Sequence, residues 1–330
     1  MSENPETSVI VINMNGLQFL PICFSALGRQ TYKDFETLLV DNGSTDGSVK
    51  FVRENFPNVI VLELGSNLGF GGGNNKGIQA ARGKYIALLN NDTEVDQNWL
   101  AELLRGIKLD FSLAMSSSKL VFADNPGIVD SAGDEISWFG QTFSYRYYPA
   151  DHPDVIKPRR CFSACAGAAL YRHDVLDELG LFDDLFGPGY YEDVDLGFRA
   201  QMQGYECLYV PTAIVRHKVS GTMKRNRDRY IYLNQRNVEY LLLINFPTIL
   251  LFRCLPVHLL YIAGSFLVHL IRGEGCPYLR AKIEVLHTLP AVLRKRSGVQ
   301  KKRRLAINAL RKKFIKGWFW KKLSRNFRKL

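Results

Sequence analysis

The chain lacks the features that mark a secreted, disulfide-bonded or zinc-binding protein. Its 330 residues include only six cysteines, and the close pair Cys161 and Cys165 has a C-x3-C spacing that is not a usual zinc or redox motif. We therefore expect reduced, buried thiols. The N-terminal residues MSENPETSVIV lack a basic segment followed by an apolar run and a cleavage site, so we expect no signal peptide.

Acidic residues are missing from the C-terminal segment. Residues 294–330 contain sixteen Lys and Arg and no Asp or Glu, so residues 1–293 carry −5 of the chain's net charge of +11. A tail of this kind binds phosphate, either in nucleic acid or in an anionic membrane. No nucleic-acid motif accompanies it, whereas Trp318, Phe319 and Trp320 among the basic residues are typical of an interfacial helix. We therefore predict that the tail contacts an anionic membrane surface and no nucleic acid.

Two nucleotide-binding fingerprints are also absent. The glycine-rich segment NLGFGGGNNKG (67–77) fails the G-x-G-x-x-G pattern, because Asn74 stands at its last position counted from Gly69. It fails the P-loop pattern because Ile78 follows Gly77. This argues against a nucleotide-cofactor oxidoreductase. Two interpretations stay open: a structural turn, or a backbone that passes close to a ligand before an anion-favouring helix N-terminus.

Apolar β-like runs alternate with helical patterns up to about residue 95, which predicts a mostly parallel sheet covered on both faces. The predicted strands are 8–14, 35–41, 58–64 and 84–90, and the predicted helices are 17–30, 46–56 and 72–83. Ligands on such sheets bind beyond the carboxyl ends of the strands. The loops expected at this edge are 13–16, 41–45, 66–73 and 90–92.

Asp92 and His217 are candidate metal ligands. Asp92 follows an apolar run in LLNNDTEV, where a simple turn is the alternative. His217 ends the run AIVRH, and histidine is a common metal ligand. A divalent ion that is also held by substrate phosphates needs only one or two protein side chains. These two residues can supply them.

Three carboxylates, Glu192, Asp193 and Asp195, stand within four residues. They fit the first turn of a helix, where acidic residues favour the helix dipole. They also follow the glycine-containing segment FGPGYY, and such loops often carry catalytic residues. One well-placed carboxylate can act as a general base toward a hydroxyl group.

Several motifs in one order resemble family 2 glycosyltransferases of the rhamnosyltransferase-like branch, over roughly residues 7–225. They are SVIVINMNG, LLVDNGSTDGS, NLGFGGGNNKGI, LLNNDTEV, DSAG (130–133), CAGAALYRHDVLDELGLFDD and YYEDVDLGFRAQMQGY. The resemblance implies an α/β fold of the GT-A type, with a Rossmann-like, mostly parallel central sheet and flanking helices. It also implies inverting transfer of a sugar, with dTDP-rhamnose as the expected donor and Mg²⁺ or Mn²⁺ as the expected ion.

The resemblance assigns functional roles to individual residues of this chain. It implies that Asp92 and His217 bind the metal diphosphate and that Asp193 is the base, with Glu192 as the alternative. Asn90 replaces the first Asp of the D-x-D element. The remaining residues are assigned to nucleotide binding (Asn13, Asn15, Asp41, Asn67, Gly69, Asn75, Asn90, Asn91) and to acceptor or sugar binding (Gly167, Ala168, Asp195).

The predicted organisation has three parts. Residues 1–228 form the catalytic domain (1–95 nucleotide-binding, 96–228 acceptor-binding), 229–293 an apolar membrane-associated helical region, and 294–330 a basic amphipathic tail. Residues 254–271 are uncharged over 18 positions, which just reaches membrane-spanning length. A single crossing would place the catalytic body and the basic tail on opposite sides of the membrane, although both are expected on the cytoplasmic side. The prolines at 247 and 256 are also expected to break the region into short helices. We therefore expect peripheral attachment to the cytoplasmic face, with one span at 254–271 as the alternative.

The expected acceptor is a lipid-linked or cell-surface glycan. Two alternatives stay open at this point. One is the same fold with a UDP- or GDP-sugar donor. The other is a non-catalytic membrane or glycan-binding protein, which the loss of an aspartate at Asn90 would fit.

Overall fold

The computed structural model describes residues 4–219, 226–318 and 321. A ten-stranded sheet forms its centre, in the order β10-β12-β6-β11-β4-β1-β2-β3, with β5 paired to β12 and β7 paired to β6. A short hairpin, β8-β9, lies outside it. The strands are β1 (Thr7–Asn13), β2 (Phe35–Asp41), β3 (Ile60–Glu63), β4 (Tyr85–Asn90), β5 (Thr93–Val95), β6 (Leu113–Phe122), β7 (Asn125–Ser131), β8 (Asp134–Ile136), β9 (Thr142–Ser144), β10 (Arg159–Cys161), β11 (Ala168–Arg172) and β12 (Glu206–His217).

The helices cover both faces of the sheet, as the apolar strands predict. They are α1 (Leu20–Gly28), α2 (Ser48–Asn55), α3 (Gly69–Ala80), α4 (Trp99–Ile107), α5 (His173–Leu179), α6 (Glu192–Gln203), α7 (Arg227–Asn245), α8 (Thr248–Ile271), α9 (Gly275–Lys301) and α10 (Ile307–Lys312). Successive side chains of β1 enter opposite cores, since Val9 and Val11 belong to one buried cluster and Ile10 to the other.

The first half of the sheet is parallel and the second half is mixed. β1 pairs in parallel with β2 and β4, and β2 with β3. β11 then runs antiparallel between β4 and β6. The sheet register sets Asn13 beside Asp41, Asn90 beside Ile12 and Ala168 beside Leu89. The ends of β1, β2 and β4 and the start of β11 therefore meet at one edge.

The glycine-rich segment has a packing role that the sequence interpretations do not include. A Cβ atom on Gly77 would lie 2.7 Å from Cγ2 of Ile10, and one on Gly73 would lie 2.5 Å from Cδ1 of Ile12. The glycines of α3 thus allow this helix to approach β1 more closely than any other residue permits.

The C-terminal helices differ from expectation in two ways. Tyr240, Leu241, Leu242 and Ile244 of α7 are buried in the same core as the sheet, so part of the predicted membrane region packs into that core. The expectation that prolines break this region is confirmed for Pro247, which lies between α7 and α8, and is wrong for Pro256, because α8 is one continuous helix that contains it. Among the described residues, α8 is the one helix long and apolar enough to cross a membrane.

Candidate active site

The first part of the candidate site is a hydrogen-bonded seat at the ends of β1 and β2. Asp41 is buried, and its carboxylate accepts from the Asn13 side chain at 3.2 Å and from the Ser44 backbone N–H at 2.9 Å. Asn15, which has a left-handed φ of 50°, accepts from the Thr45 N–H at 2.8 Å. The structure therefore brings Asn13, Asn15 and Asp41 together in one loop network.

The end of β4 joins this seat through the side chain of Asn91. Its Nδ2 donates to Oδ1 of Asn13 at 2.6 Å. Gly16 packs against this bond, because a Cβ atom there would lie 2.0 Å from Nδ2 of Asn91. The backbone N–H of the neighbouring residue, Asn90, donates to the Gly167 carbonyl at 2.9 Å. Residues 90 and 91 thus link the seat to the strand that carries Gly167.

Asp92 and His217 meet beside this seat because β5 pairs with the end of β12. Nε2 of His217 lies 3.2 Å from Oδ1 of Asp92, and the Lys218 N–H donates to the Asp92 carbonyl at 2.9 Å. On the other side of the ring, Nδ1 of His217 lies 2.7 Å from Oδ2 of Asp130. Although burial opposes protonation, the hydrogen bonds with Asp130 and Asp92 raise the pKa of His217 to about 9.

Asp92 and His217 are placed as two protein ligands of one divalent ion would be. Adjacent ligands at about 2.1 Å from an octahedral ion lie roughly 3 Å apart, which is close to the separation of Nε2 and Oδ1. The Asp130 carboxylate on Nδ1 would leave Nε2 as the coordinating nitrogen. Within the residues that the structure describes, no group of three or more His, Cys, Asp or Glu side chains is arranged to hold a metal. The remaining ligands would have to come from substrate and water.

Asp193, in the first turn of α6, contacts the segment that precedes β11. Its Oδ2 accepts from the Ala166 N–H at 3.2 Å, and its Oδ1 accepts from the Val194 N–H at 2.8 Å. Burial raises the pKa of Asp193, although these backbone bonds counteract it. The chain of contacts Asp193–Ala166, then Gly167–Asn90, connects the candidate base to the D-x-D-like element.

Glu192 has a different environment. Burial, and then the adjacent Asp193 carboxylate, hold the pKa of Glu192 well above its usual range. Its side chain lines a cavity of about 340 Å³ between α3 and residues 183–189. Since only an ionised carboxylate accepts a proton, the raised pKa leaves Glu192 a proton acceptor over a narrower range of pH than an ordinary carboxyl group.

The loop before these carboxylates is held by α7, which was not predicted to belong to the site. Tyr190 and Tyr191 have left-handed φ values of 76° and 72°. Asn237, which is 0% exposed, donates through Nδ2 to the carbonyls of Phe186 at 2.9 Å, Gly189 at 3.1 Å and Tyr190 at 2.7 Å. The one signal was a polar residue, Asn237, within an increasingly apolar segment.

Three residues that were expected to bind ligands make contacts within the protein instead. Asp195 is fully buried, pairs with Arg199 at 2.8 Å and accepts from Asn245 at 2.7 Å, so its carboxylate stabilises α6 and does not face an acceptor. Both ends of the Asn75 amide bond the Phe182 backbone, at 2.9 and 3.0 Å. Ala168 is buried within β11. These three differ from the ligand contacts that the resemblance implies.

Asn67 and Gly69 shape the loop before α3. Oδ1 of Asn67 accepts from the Gly69 N–H at 2.8 Å and from the Asn42 side chain at 3.1 Å. Gly69 has φ 77°, and a Cβ atom there would lie 2.9 Å from the Cα of Pro188. Gly69 therefore packs against the same loop that Asn237 holds, while its carbonyl accepts from the Asn42 side chain at 3.0 Å.

The tail differs from the interfacial helix expected of it. Trp318 is 6% exposed, packs against Phe139 and donates to the Thr142 carbonyl at 3.2 Å, so its ring is part of the core and is closed to lipid. Phe319 and Trp320, the other two expected membrane residues, lie outside the described residues. Exposed apolar side chains occur instead on α8, where Phe252, Leu260 and Ile271 are examples.

Comparison with known proteins identifies the family. The model of the family described as glycosyl transferase family 2 matches residues 8–180, which is more than half of the chain. The chain belongs to glycosyl transferase family 2. The match covers the seat, Asp92 and Asp130, so the catalytic body is that of a glycosyltransferase.

Curated relatives are similar at low identity. The N-acetylglucosaminyl-diphospho-decaprenol L-rhamnosyltransferase of Mycobacterium tuberculosis is 25% identical over 251 residues, 64% of this chain and 79% of that protein. The EpsH protein of Bacillus subtilis is 26% identical over 220 residues, 66% of this chain and 62% of EpsH. A match to the y4gI protein of Sinorhizobium fredii, at 27% identity over 67% of this chain, spans 25% of that protein's length.

Solved structures confirm the expected GT-A fold. The S. aureus TarS 1–349 structure in complex with UDP-GlcNAc matches with a TM-score of 0.59 at 18% identity, covering 93% of this chain and 89% of that one. The mannosyltransferase PcManGT from Pyrobaculum calidifontis, in complex with GDP-Man and Mn²⁺, matches with a TM-score of 0.54 at 16% identity, covering 86% and 88%. At these identities the likeness concerns the fold alone.

Proposed function

We propose that this glycosyltransferase transfers L-rhamnose from dTDP-rhamnose to a lipid-linked glycan, with inversion at the anomeric carbon. The donor and acceptor classes are supported by the motif resemblance and by the name of the mycobacterial relative. The observation that carries the proposal is the convergence of Asp41, Asp92 and Asp193 on one edge of the sheet. Three separate motifs supply these residues, and each matches one need of the reaction.

The donor nucleotide would bind at the seat formed by Asn13, Asn15 and Asp41. Its diphosphate would then lie near Asp92 and His217, which would hold Mg²⁺ or Mn²⁺. Such an ion, when bound, neutralises the charge of the departing diphosphate. Because Asn90 contributes no charge where a second aspartate is expected, binding of the ion should depend strongly on the donor itself.

Asp193 would act as the base. Its carboxylate would take the proton from the acceptor hydroxyl as that oxygen forms a bond to the anomeric carbon, while the bond from this carbon to the diphosphate oxygen breaks. Two backbone N–H groups favour the ionised form of Asp193. Glu192 remains the alternative, although its high pKa and its place in the cavity beside α3 favour Asp193.

Membrane attachment would bring the enzyme to its acceptor. The exposed apolar side chains of α8 and the basic tail suit a peripheral protein on the anionic cytoplasmic face. A single crossing by residues 254–271 is the alternative, since α8 has the required length. We propose no nucleic-acid partner.

A transfer assay tests the proposal directly. Purified protein would be given radiolabelled dTDP-rhamnose, UDP-GlcNAc or GDP-mannose and a polyprenyl-diphosphate N-acetylglucosamine acceptor in vesicles, with Mn²⁺. We expect transfer from dTDP-rhamnose. The rate should be at least about 100-fold lower in Asp193→Asn, because general bases contribute about 10²–10⁴-fold. The rate of Glu192→Gln should change little. The reverse order of the two variants would assign the base to Glu192.

A different donor on the same fold is the second candidate. It is favoured by the two solved neighbours, whose structures hold UDP-GlcNAc and GDP-Man. Transfer from one of these donors in the same assay would replace rhamnose. A third candidate, a non-catalytic glycan-binding protein, would bind the acceptor and transfer none of the three sugars.

A further inference from the structure

A second cavity lies outside the site, between α9, the end of α5 and α6, with a volume of about 520 Å³. Part of its lining is apolar and comes from Leu179, Leu185, Met202 and Val299. The side formed by α9 is basic and includes Arg294, Lys295 and Lys302. A cavity of this composition suits an amphiphile that carries a negative charge.

The positive charge at the opening of this cavity is only partly neutralised by acidic side chains. Asp183, which is the carboxylate among the described lining residues, pairs with Lys295 at 2.8 Å. Arg294 and Lys302 then leave about two positive charges. They stand four residues before and four residues after Gly298, so they share one face of α9 and are separated by about 12 Å along its axis. An anion placed over Gly298 can be reached by both side chains.

The same helix also carries exposed apolar side chains, on the turns before the cavity. Leu279, Ile283, Leu286 and Leu293 of α9 are each about half exposed or more. Their spacing places them along one stripe, and Arg294 follows Leu293 by about 100° around the helix. Arg294 therefore lies between the apolar stripe and the cavity, as charged groups do at a membrane interface, and Lys302 lies about two turns further along on the side that lines the cavity.

We propose that this cavity binds one anionic phospholipid. The phosphate would lie over Gly298 between Arg294 and Lys302, and an acyl chain would contact the apolar lining. Basic side chains at a membrane face recognise phosphate headgroups in this way. None of the donor-seat or base residues line the cavity, so the proposal does not depend on which sugar is transferred.

Binding of a soluble lipid tests the proposal. The full chain would be titrated calorimetrically with dihexanoylphosphatidylglycerol below its micelle concentration, with the phosphatidylcholine analogue, and with inorganic phosphate. We expect one equivalent of phosphatidylglycerol, bound at least tenfold more tightly than either of the others. Equal binding of phosphate would show an anion site without lipid, and equal binding of phosphatidylcholine would show an apolar site without charge recognition. Either result would overturn the proposal.

Two double variants distinguish binding in this cavity from attraction to the overall positive charge of the protein. Arg294→Gln/Lys302→Gln should weaken binding about tenfold or more, since each cation near an anionic surface contributes on the order of 1 kcal/mol. Arg311→Gln/Lys312→Gln removes the same charge from exposed positions of α10 and should leave binding unchanged. Equal loss in both pairs would mean that only net charge matters.

Gly298→Leu fills the cavity and keeps every charge. A Cβ atom at Gly298 meets no atom within 4 Å, and leucine is a better helix former than glycine, so the variant should fold. Gly28→Leu, at another exposed helical glycine with open space, is the matched control. We expect at least tenfold weaker phosphatidylglycerol binding in Gly298→Leu alone. Native affinity in Gly298→Leu would refute the assignment of the lipid to this cavity.

Discussion

Replacing Asn237 by alanine tests how α7 positions the candidate base. The change removes the Nδ2 group that donates to three carbonyls of residues 186–190. Two N–H groups serve these three acceptors. Losing these two N–H donors to buried carbonyls costs about 1–3 kcal/mol each, so we expect the free energy of unfolding to fall by roughly 2–6 kcal/mol.

The larger expected effect is on the rate. Tyr190 and Tyr191 hold left-handed conformations that cost about 1–2 kcal/mol each, so a released loop should relax and displace the start of α6. A shift of about 1 Å at a reacting group can lower a rate about 100-fold. We therefore expect kcat to fall 10- to 100-fold. Donor affinity should stay within about twofold, because Asp41 and Asp92 lie on other elements.

Initial rates, donor titration and urea unfolding would be measured on Asn237→Ala and on Asn234→Ala. Asn234 is the matched control, since its side chain donates to the Tyr230 carbonyl of its own helix at 2.9 Å. The control should match the native protein in all three measurements. If Asn237→Ala loses stability and keeps its native kcat, the loop is not what positions the base.

Three further changes probe the seat, the ion and the base. Gly16→Ala should disrupt the Asn13–Asn91 bond and weaken nucleotide binding at least about tenfold, judged by titration against Gly28→Ala, where a Cβ atom has open space. Asp130→Asn should weaken Mn²⁺ binding about 10- to 100-fold, measured by titration in the presence of dTDP against the native protein; unchanged affinity would dismiss the carboxylate's role. Because burial raises the pKa of Asp193 and only its ionised form accepts a proton, kcat/KM should fall as pH decreases through that raised pKa, and Asp193→Asn should lack this dependence.

The parts of the fold with strong local patterns were predictable from the sequence. Apolar runs with turn residues after them place β1, β2 and β4 within a residue or two of the observed bounds. The same pattern locates Asp41 and Asp92 at strand ends, because parallel strands deliver their following loops to one edge. The expected pairing of Asp92 with His217 needed the resemblance as well, since these residues are far apart in the chain.

The parts set by tertiary packing were not predictable. Composition gave α7 the character of a membrane segment, yet several of its apolar side chains are buried in the core and its Asn237 bonds the loop that precedes the candidate base. Asp195 has the same residue type and nearly the same position as Asp193, and only burial against Arg199 and Asn245 separates their roles. Pro256 lies within α8 without ending it, because a helix can tolerate one missing backbone hydrogen bond.

The central claim is that a metal-dependent nucleotide site lies between Asp41, Asp92 and His217. Calorimetric titration with dTDP, in Mn²⁺ and then in EDTA, tests it most directly when run on the native protein and on Asp92→Asn. We predict binding in Mn²⁺ that weakens at least about tenfold when EDTA removes the ion or when Asp92 loses its charge. Equal dTDP affinity under all of these conditions, or no binding of dTDP, UDP or GDP in Mn²⁺, would contradict the account.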